Sequence, residues 1–152
     1  REAFNYQLLG SDALLPVSSP RHPLASRSSL SAAELAEAEL FLREEGSGTR
    51  STLEQVYQAH GLTPKVALAL GNSVALKRSL QGGRGIAWIS ELAMEDELRS
   101  GELVRLAVDD LHIQRDLHAL WRRERSLSPA AHALLDQVRH ALANRQNYIK
   151  TF

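Results

Sequence analysis

Residues 40–74 read LFLREEGSGTRSTLEQVYQAHGLTPKVALALGNSV, and this stretch decides how the chain folds. Leu40 to Arg43 is short and apolar and reads as a strand. Gly46-Ser47-Gly48-Thr49-Arg50 has turn composition, and Thr49 or Ser51 opens a helix, with Ser51 and Glu54 at capping-box spacing. Leu53, Val56 and Tyr57 fall on one helical face, and Gly61 stops the helix. Lys65 to Leu70 is a second strand, apolar at nearly every position, as expected of a strand buried on both faces. Gly71-Asn72-Ser73 then leads into another helix. Strand, helix, strand, helix in this order predicts an α/β fold whose sheet is mainly parallel.

The rhythm extends outward. Upstream, YQLLGSDALLPVSSP alternates apolar residues around a Gly-Ser-Asp turn and halts at Pro20 and Pro23. RHPLASRSSL reads as a loop, and Ser31 with Glu34 three residues on marks a short helix ending near Ala38. Downstream, Val74, Leu76 and Leu80 belong to a helix closed by Gly82-Gly83, and Gly85 to Ser90 (GIAWIS) is a strand. Ser90 is expected to cap the helix ELAMEDELRS, with Glu91 in its first turn and Gly101 at its end. Leu103 to Val108 and Arg115 to Trp121 read as strands. Ser128-Pro129 opens a last helix, with Ala131, Leu134, Leu135, Val138 and Leu142 on one stripe.

Composition narrows the function. The chain has 152 residues, 18 Lys plus Arg and 18 Asp plus Glu, so its formal net charge is zero. A segment that grips nucleic acid by itself needs a surplus of positive charge. With no cysteine, disulfides, thiolate catalysis and zinc-thiolate sites are excluded, which fits a reducing compartment. No apolar run approaches the roughly 20 residues of a membrane span. The opening REAFNYQLLG has neither an initiator Met nor a signal-peptide core, so the sequence reads as beginning mid-protein.

Two places could hold a ligand. Gly46-Ser47-Gly48-Thr49-Arg50 and Gly71-Asn72-Ser73 each follow a strand and open a helix. In open α/β sheets ligands lie at the carboxyl ends of strands, where helix N-termini present free N–H groups. Glycines let backbone amides come close, Ser47 and Thr49 add hydroxyls, and Arg43 or Arg50 can pair with a carboxylate or oxyanion. A hydroxyl ahead of a helix is most often only a cap. Two such turns side by side make half of an anion cradle.

The other candidates are weaker. The six histidines, His22, His60, His112, His118, His132 and His140, include no pair at helical metal spacing with a carboxylate partner, which points to surface or turn roles and no metal site. Glu95, Asp96 and Glu97 read as a solvated helix face. Arg122, Arg123 and Arg125 are interrupted by Glu124 and read as a surface strand end. Nothing resembles a nucleophile elbow, so no catalytic residue and no enzyme is read.

The segments FLREEGSGTR, LALGNSVALKRSLQGGRGIAWIS, ELRSGELVRL and LWRRERSLSPAAHALL, preceded by LLGSDALLPVSSPRHPLA, together resemble the effector-binding domain of LysR-type transcriptional regulators, from about Leu8 to Val138. The resemblance implies a type 2 periplasmic-binding-protein-like fold: two Rossmann-like lobes joined by two crossover strands, with a small molecule in the cleft. Here the first lobe would be incomplete. Residues 1–18 would be its remnant and first crossover, 19–121 the second lobe, and 122–152 the return to the first lobe with a C-terminal helix. The implied ligand-binding residues are Arg43, Ser47, Gly48, Thr49, Arg50, Asn72 and Ser73, with Trp88 near the cleft where the family often has Phe. The family usually has Ser-Asn-Glu where this chain has Asn72-Ser73-Val74, which makes that wall less polar. No cofactor is implied. The implied partners are a carboxylate or oxyanion effector, DNA through a helix-turn-helix outside this chain, and further copies in a cytoplasmic homodimer or homotetramer. Phosphate- and tungstate-binding proteins carry similar Ser-Gly-Thr turns, so an extracytoplasmic solute-binding protein for an oxyanion is the alternative.

Overall fold

Fifteen residues, Phe4–Ser18, form one uninterrupted strand, β1, within a computed structural model that describes residues 3–149. The ends of the expected first and last segments, residues 1–2 and 150–152, lie outside the described residues. The expected turn at Gly10-Ser11-Asp12 does not form. The Asp12 side chain is buried and held by Arg115, whose Nε and Nη2 donate to Oδ2 at 2.9 and 2.7 Å. Gly10 lies against the Leu142 side chain, 3.1 Å from where a Cβ would stand. Turn-forming residues therefore serve here as an ion-pair partner and a close-packing point inside a strand.

The chain divides into two compact units, Arg1–Asp12 with Arg115–Phe152, and Ala13–Gln114. These boundaries differ from the expected 18 and 121. In the first unit β1 pairs with β6 (Ile113–Arg122), and the Arg123 N–H donates to the Ala3 carbonyl at 3.1 Å. The helix α5 (Pro129–Ile149) opens with Ser128 Oγ accepting from the Ala131 N–H at 3.2 Å. Its expected stripe is only half-buried at Ala131, Leu135, Val138 and Leu142, and Leu134 is exposed.

The second unit holds the core. After a 3-10 turn at Pro23–Ser26, helix α1 (Ala32–Glu37) begins in a complete capping box: Ser31 accepts from the Glu34 N–H while Glu34 accepts from the Ser31 N–H. There follow β2 (Leu40–Arg43), α2 (Gly48–Ala59), β3 (Val66–Leu70), α3 (Ser73–Leu80), β4 (Ala87–Ser90), α4 (Glu95–Ser100) and β5 (Val104–Arg105). The end of β1 pairs antiparallel with β4 and with β5, while β2 and β3 are parallel. A parallel bridge joins Leu40 to Ile86, where the Phe41 N–H donates to the Ile86 carbonyl at 2.8 Å. The sheet expectation thus holds for β2 and β3 and fails for β1, which pairs only antiparallel in this unit.

Three local expectations are corrected. β3 is not buried on both faces: Val66 to Ala69 are exposed. β2 lies between β3 and Ile86 and takes the buried place, which leaves β3 at the edge of its two-stranded sheet. The expected helix 91–100 is a 3-10 turn at Glu91–Ala93 followed by α4, broken at fully buried Met94, and Ser90 makes no side-chain cap bond. The expected strand 103–108 shrinks to β5 plus an isolated bridge between Leu30 and Val108.

Two buried clusters fill the unit. Leu14, Leu35, Leu53, Tyr57, Ile86 and Trp88 belong to the first, and Val17, Phe41, Leu76, Leu80, Ile89 and Met94 to the second.

Candidate functional site

The carboxyl ends of β2 and β3 lie side by side, with Arg43 opposite Leu70 in the register and the Glu44 N–H donating to the Leu70 carbonyl at 3.0 Å. Each strand runs into a glycine turn that starts a helix. Helix α2 begins at Gly48, earlier than the expected Thr49 or Ser51. Ser47 is its N-cap residue but makes no side-chain cap bond. The expected Ser51–Glu54 capping box is absent because Ser51 is already inside the helix, its N–H donating to the Ser47 carbonyl at 3.0 Å, while Glu54 accepts from Arg50 Nε at 2.7 Å. Helix α3 is capped conventionally: Asn72 Oδ1 accepts from the Ala75 N–H at 2.8 Å. Thr49 and Ser73 stand half-buried in the two first turns.

Arg43 ties the turns together. Its Nη1 donates to Ser73 Oγ at 3.1 Å, and its Nε and Nη2 donate to the two carboxylate oxygens of Glu44, both at 2.8 Å. That hydrogen bonding raises the pKa of the Arg43 guanidinium and lowers that of the Glu44 carboxyl. Arg50 is committed to α2 and its approach: it pairs with Glu54 at 2.7 Å and Glu45 at 3.7 Å, and its Nη1 reaches the Arg43 carbonyl at 3.5 Å. Its pKa is likewise raised, chiefly by the Glu54 hydrogen bond.

The glycines of the turns fall into two kinds. Gly46 has φ +85°, a left-handed conformation that only glycine adopts easily. Gly48 and Gly71 do not have positive φ, and a Cβ on either would meet nothing within 4 Å. No conformation and no packing inside the chain requires glycine at those two positions. Open space lies over both turns, which is where a ligand would touch backbone amides.

Arg43, Ser47, Gly48, Thr49, Asn72 and Ser73 are thus brought to one corner of the second unit, with Arg50 held beside it by Glu54 and Glu45. Trp88 is not among them. It is 2% exposed in the core, its Nε1 donating to Tyr57 Oη at 3.0 Å and its ring edge-on to the tyrosine at 6.4 Å. A residue on a strand flanked by β1 and the buried Leu40–Ile86 bridge has no route to a solvent-filled site, and the expectation for Trp88 is corrected. Burial raises the Tyr57 pKa. Val74, in the first turn of the expected helix that also carries Leu76 and Leu80, is 55% exposed and sits off their buried face.

Sequence reasoning missed Glu44. The adjacent Arg-Glu pair in FLREE was visible, but adjacent residues on a strand point to opposite faces, so only the bend after β2 brings the two side chains together.

Other candidates settle into structural roles. His22 caps the 3-10 turn by accepting from the Leu24 N–H at 3.2 Å, and His60, His132 and His140 lie against carbonyls one helical turn back. Glu95 and Asp96 pair with Arg99, and Glu97 with Lys77. Among the described residues no group of three His, Cys, Asp or Glu could hold a metal, and no helix is long and apolar enough to cross a membrane.

Comparison with known proteins identifies the family. The family model for the LysR substrate binding domain matches residues 1–143. The RuBisCO operon transcriptional regulator of Allochromatium vinosum is 35% identical over 125 residues, covering 82% of this chain and 41% of the regulator. The HTH-type transcriptional regulator CbbR of Xanthobacter flavus is 34% identical over 132 residues, covering 86% of this chain and 40% of CbbR. The chain therefore spans about two fifths of the length of these curated relatives. The regulatory domain of CcmR from Synechocystis PCC6803, solved in complex with 2-PG, superposes with a TM-score of 0.81 at 29% identity, covering 93% of this chain and 68% of that one. These relatives favour the regulator over the solute-binding protein suggested by the Ser-Gly-Thr turn. Paired helix starts at adjacent strand ends, a matching fold and the family match together mean that the chain belongs to the LysR substrate-binding domain family.

Proposed function

We propose that the chain is the ligand-sensing part of a LysR-type transcriptional regulator. It binds a small anion, a carboxylate or oxyanion, at the corner formed by Arg43, Ser47, Gly48, Thr49, Asn72 and Ser73. The observation that carries this reading is the pair of open, unconstrained glycines, Gly48 and Gly71, over two adjoining helix starts linked by the Arg43–Ser73 hydrogen bond. Helix N-termini favour anions because their first N–H groups have no partner within the helix. The complex of CcmR with 2-PG supports a small-molecule ligand for a relative of this similarity. A ligand with unequal affinity for two arrangements of the regulator shifts the population between them. DNA contact would come from a helix-turn-helix outside this chain, in keeping with the HTH-type name of CbbR. The regulator acts as a cytoplasmic homodimer or homotetramer and carries out no catalysis itself.

Calorimetric titration with 2-PG and with inorganic phosphate tests this. Thr49→Val removes one hydroxyl and is expected to weaken binding about tenfold, the scale of one hydrogen bond to a charged group, while the fold stays intact. Unchanged affinity would overturn the assignment of the turn. Gly48→Ala separates ligand from fold more sharply. Alanine suits a helical position better than glycine by about 0.5–1 kcal/mol, so stability should hold or rise while affinity falls. A variant that is both stable and undiminished in binding would remove Gly48 from the site.

A further inference from the structure

The corner proposed to bind an anion is not positively charged. Two guanidinium groups, Arg43 and Arg50, face three carboxylates, Glu44, Glu45 and Glu54, each within 3.7 Å of one of them. Arg50 has little to give, since Glu54 belongs to its own helix and holds its Nε. Arg43 is different. One edge of its guanidinium, Nη1, is anchored on Ser73 at the start of α3. The other edge, Nε with Nη2, is the fork that would take a carboxylate or phosphoryl group in two parallel hydrogen bonds. Glu44 occupies that fork with both oxygens.

We infer that Glu44 is a built-in competitor for the anion site, a tethered carboxylate that fills the Arg43 fork and must swing out before a ligand anion can enter. The inference rests on the reading of this corner as the ligand site and deepens it: binding becomes an exchange of one anion for another. Glu44 is suited to the part. It lies just past the end of β2, its backbone is held independently of its side chain by the hydrogen bond to Leu70, and its side chain is 42% exposed, so it can leave into solvent. Arg43 meanwhile stays in place through Ser73. With the fork occupied, the site is neutralised when empty, and only anions able to outbid a carboxylate already at contact distance will hold it. A weakly basic or singly hydrogen-bonding anion loses that contest, so Glu44 raises the threshold for binding and sharpens discrimination among ligands.

The test is a set of titrations with 2-PG and inorganic phosphate, on the parent protein and on Glu44→Gln, Glu45→Gln, Arg43→Ala, Thr49→Val and the Arg43→Ala/Glu44→Gln pair. Glu44→Gln should bind roughly fivefold more tightly, the upper range for loss of an exposed ion pair. Glu45→Gln removes the same charge from the neighbouring residue without freeing the fork and should change affinity less than about twofold. In the Arg43→Ala background the gain from Glu44→Gln should vanish. A Glu44→Gln affinity equal to or below that of the parent overturns the inference. If Thr49→Val still weakens binding in that case, the reading of the site survives. A gain that persists without Arg43 overturns the exchange and leaves a general charge effect. If neither the parent nor Glu44→Gln binds either probe, both the inference and the site reading fall.

Discussion

Trp88→Ala is expected to lower the free energy of unfolding by about 3–5 kcal/mol, the range for deleting a large aromatic side chain from a packed core. Three costs add. The indole is 2% exposed, so its apolar surface is lost from burial. Its neighbours, Leu14, Tyr57 and Ile86 among them, close only part of the space it leaves. Tyr57, fully buried, loses the indole N–H that donates to its hydroxyl at 3.0 Å, along with an edge-on ring contact at 89°. Urea unfolding measures the loss as a fall in midpoint at nearly constant slope. Trp88→Phe keeps a ring and drops the N–H, and should cost about half as much or less. Had Trp88 lined the ligand site, alanine would impair binding and spare stability. A loss below about 1 kcal/mol would mean that the burial described here is wrong.

Gly85→Ala should be nearly as damaging, at about 2–4 kcal/mol, which for a chain of this length lowers Tm by roughly 5–15 °C. The residue has φ +74°, where a side chain costs about 1 kcal/mol or more. A Cβ there would also stand 2.5 Å from Cε1 and Cζ of the Phe41 ring. Phe41 is itself buried, in the cluster that also holds Leu80, Ile89 and Met94, so its ring has little room to retreat. The strain passes along β2, whose end carries Arg43 two residues on, so anion affinity should fall with stability. A double-mutant cycle separates the two costs. Phe41→Leu is destabilising in the parent, but in the Gly85→Ala background it removes the collision and should cost less or even restore stability. Strict additivity of the two substitutions would show that backbone conformation alone accounts for the effect.

The comparison of site and core shows where local reading succeeds. The α1 capping box, the limits of β2, the start of α3 at Asn72-Ser73 and the stop at Gly61, with φ +67°, were all legible. Each depends on groups within about four residues of one another, and that is the reach of cap and turn hydrogen bonds. The two glycine turns were legible for the same reason, and the series of motifs around them pointed to the family.

What the sequence by itself determined is therefore the order of elements, the caps at Ser31 and Ser128, the corner where two helix starts meet, and membership of the LysR substrate-binding domain family. Only the tertiary structure decided which apolar residues are buried. Trp88 went to the core and VALAL to an exposed edge because β2, not β3, adjoins Ile86. Gly10-Ser11-Asp12 stayed extended because Arg115, 103 residues away, meets Asp12. The Arg43 fork holds Glu44 because Ser73, 30 residues on, fixes its other edge. The physical reason is common to all three: burial and ion pairing depend on which distant segments meet, and periodicity reports a face without saying what covers it.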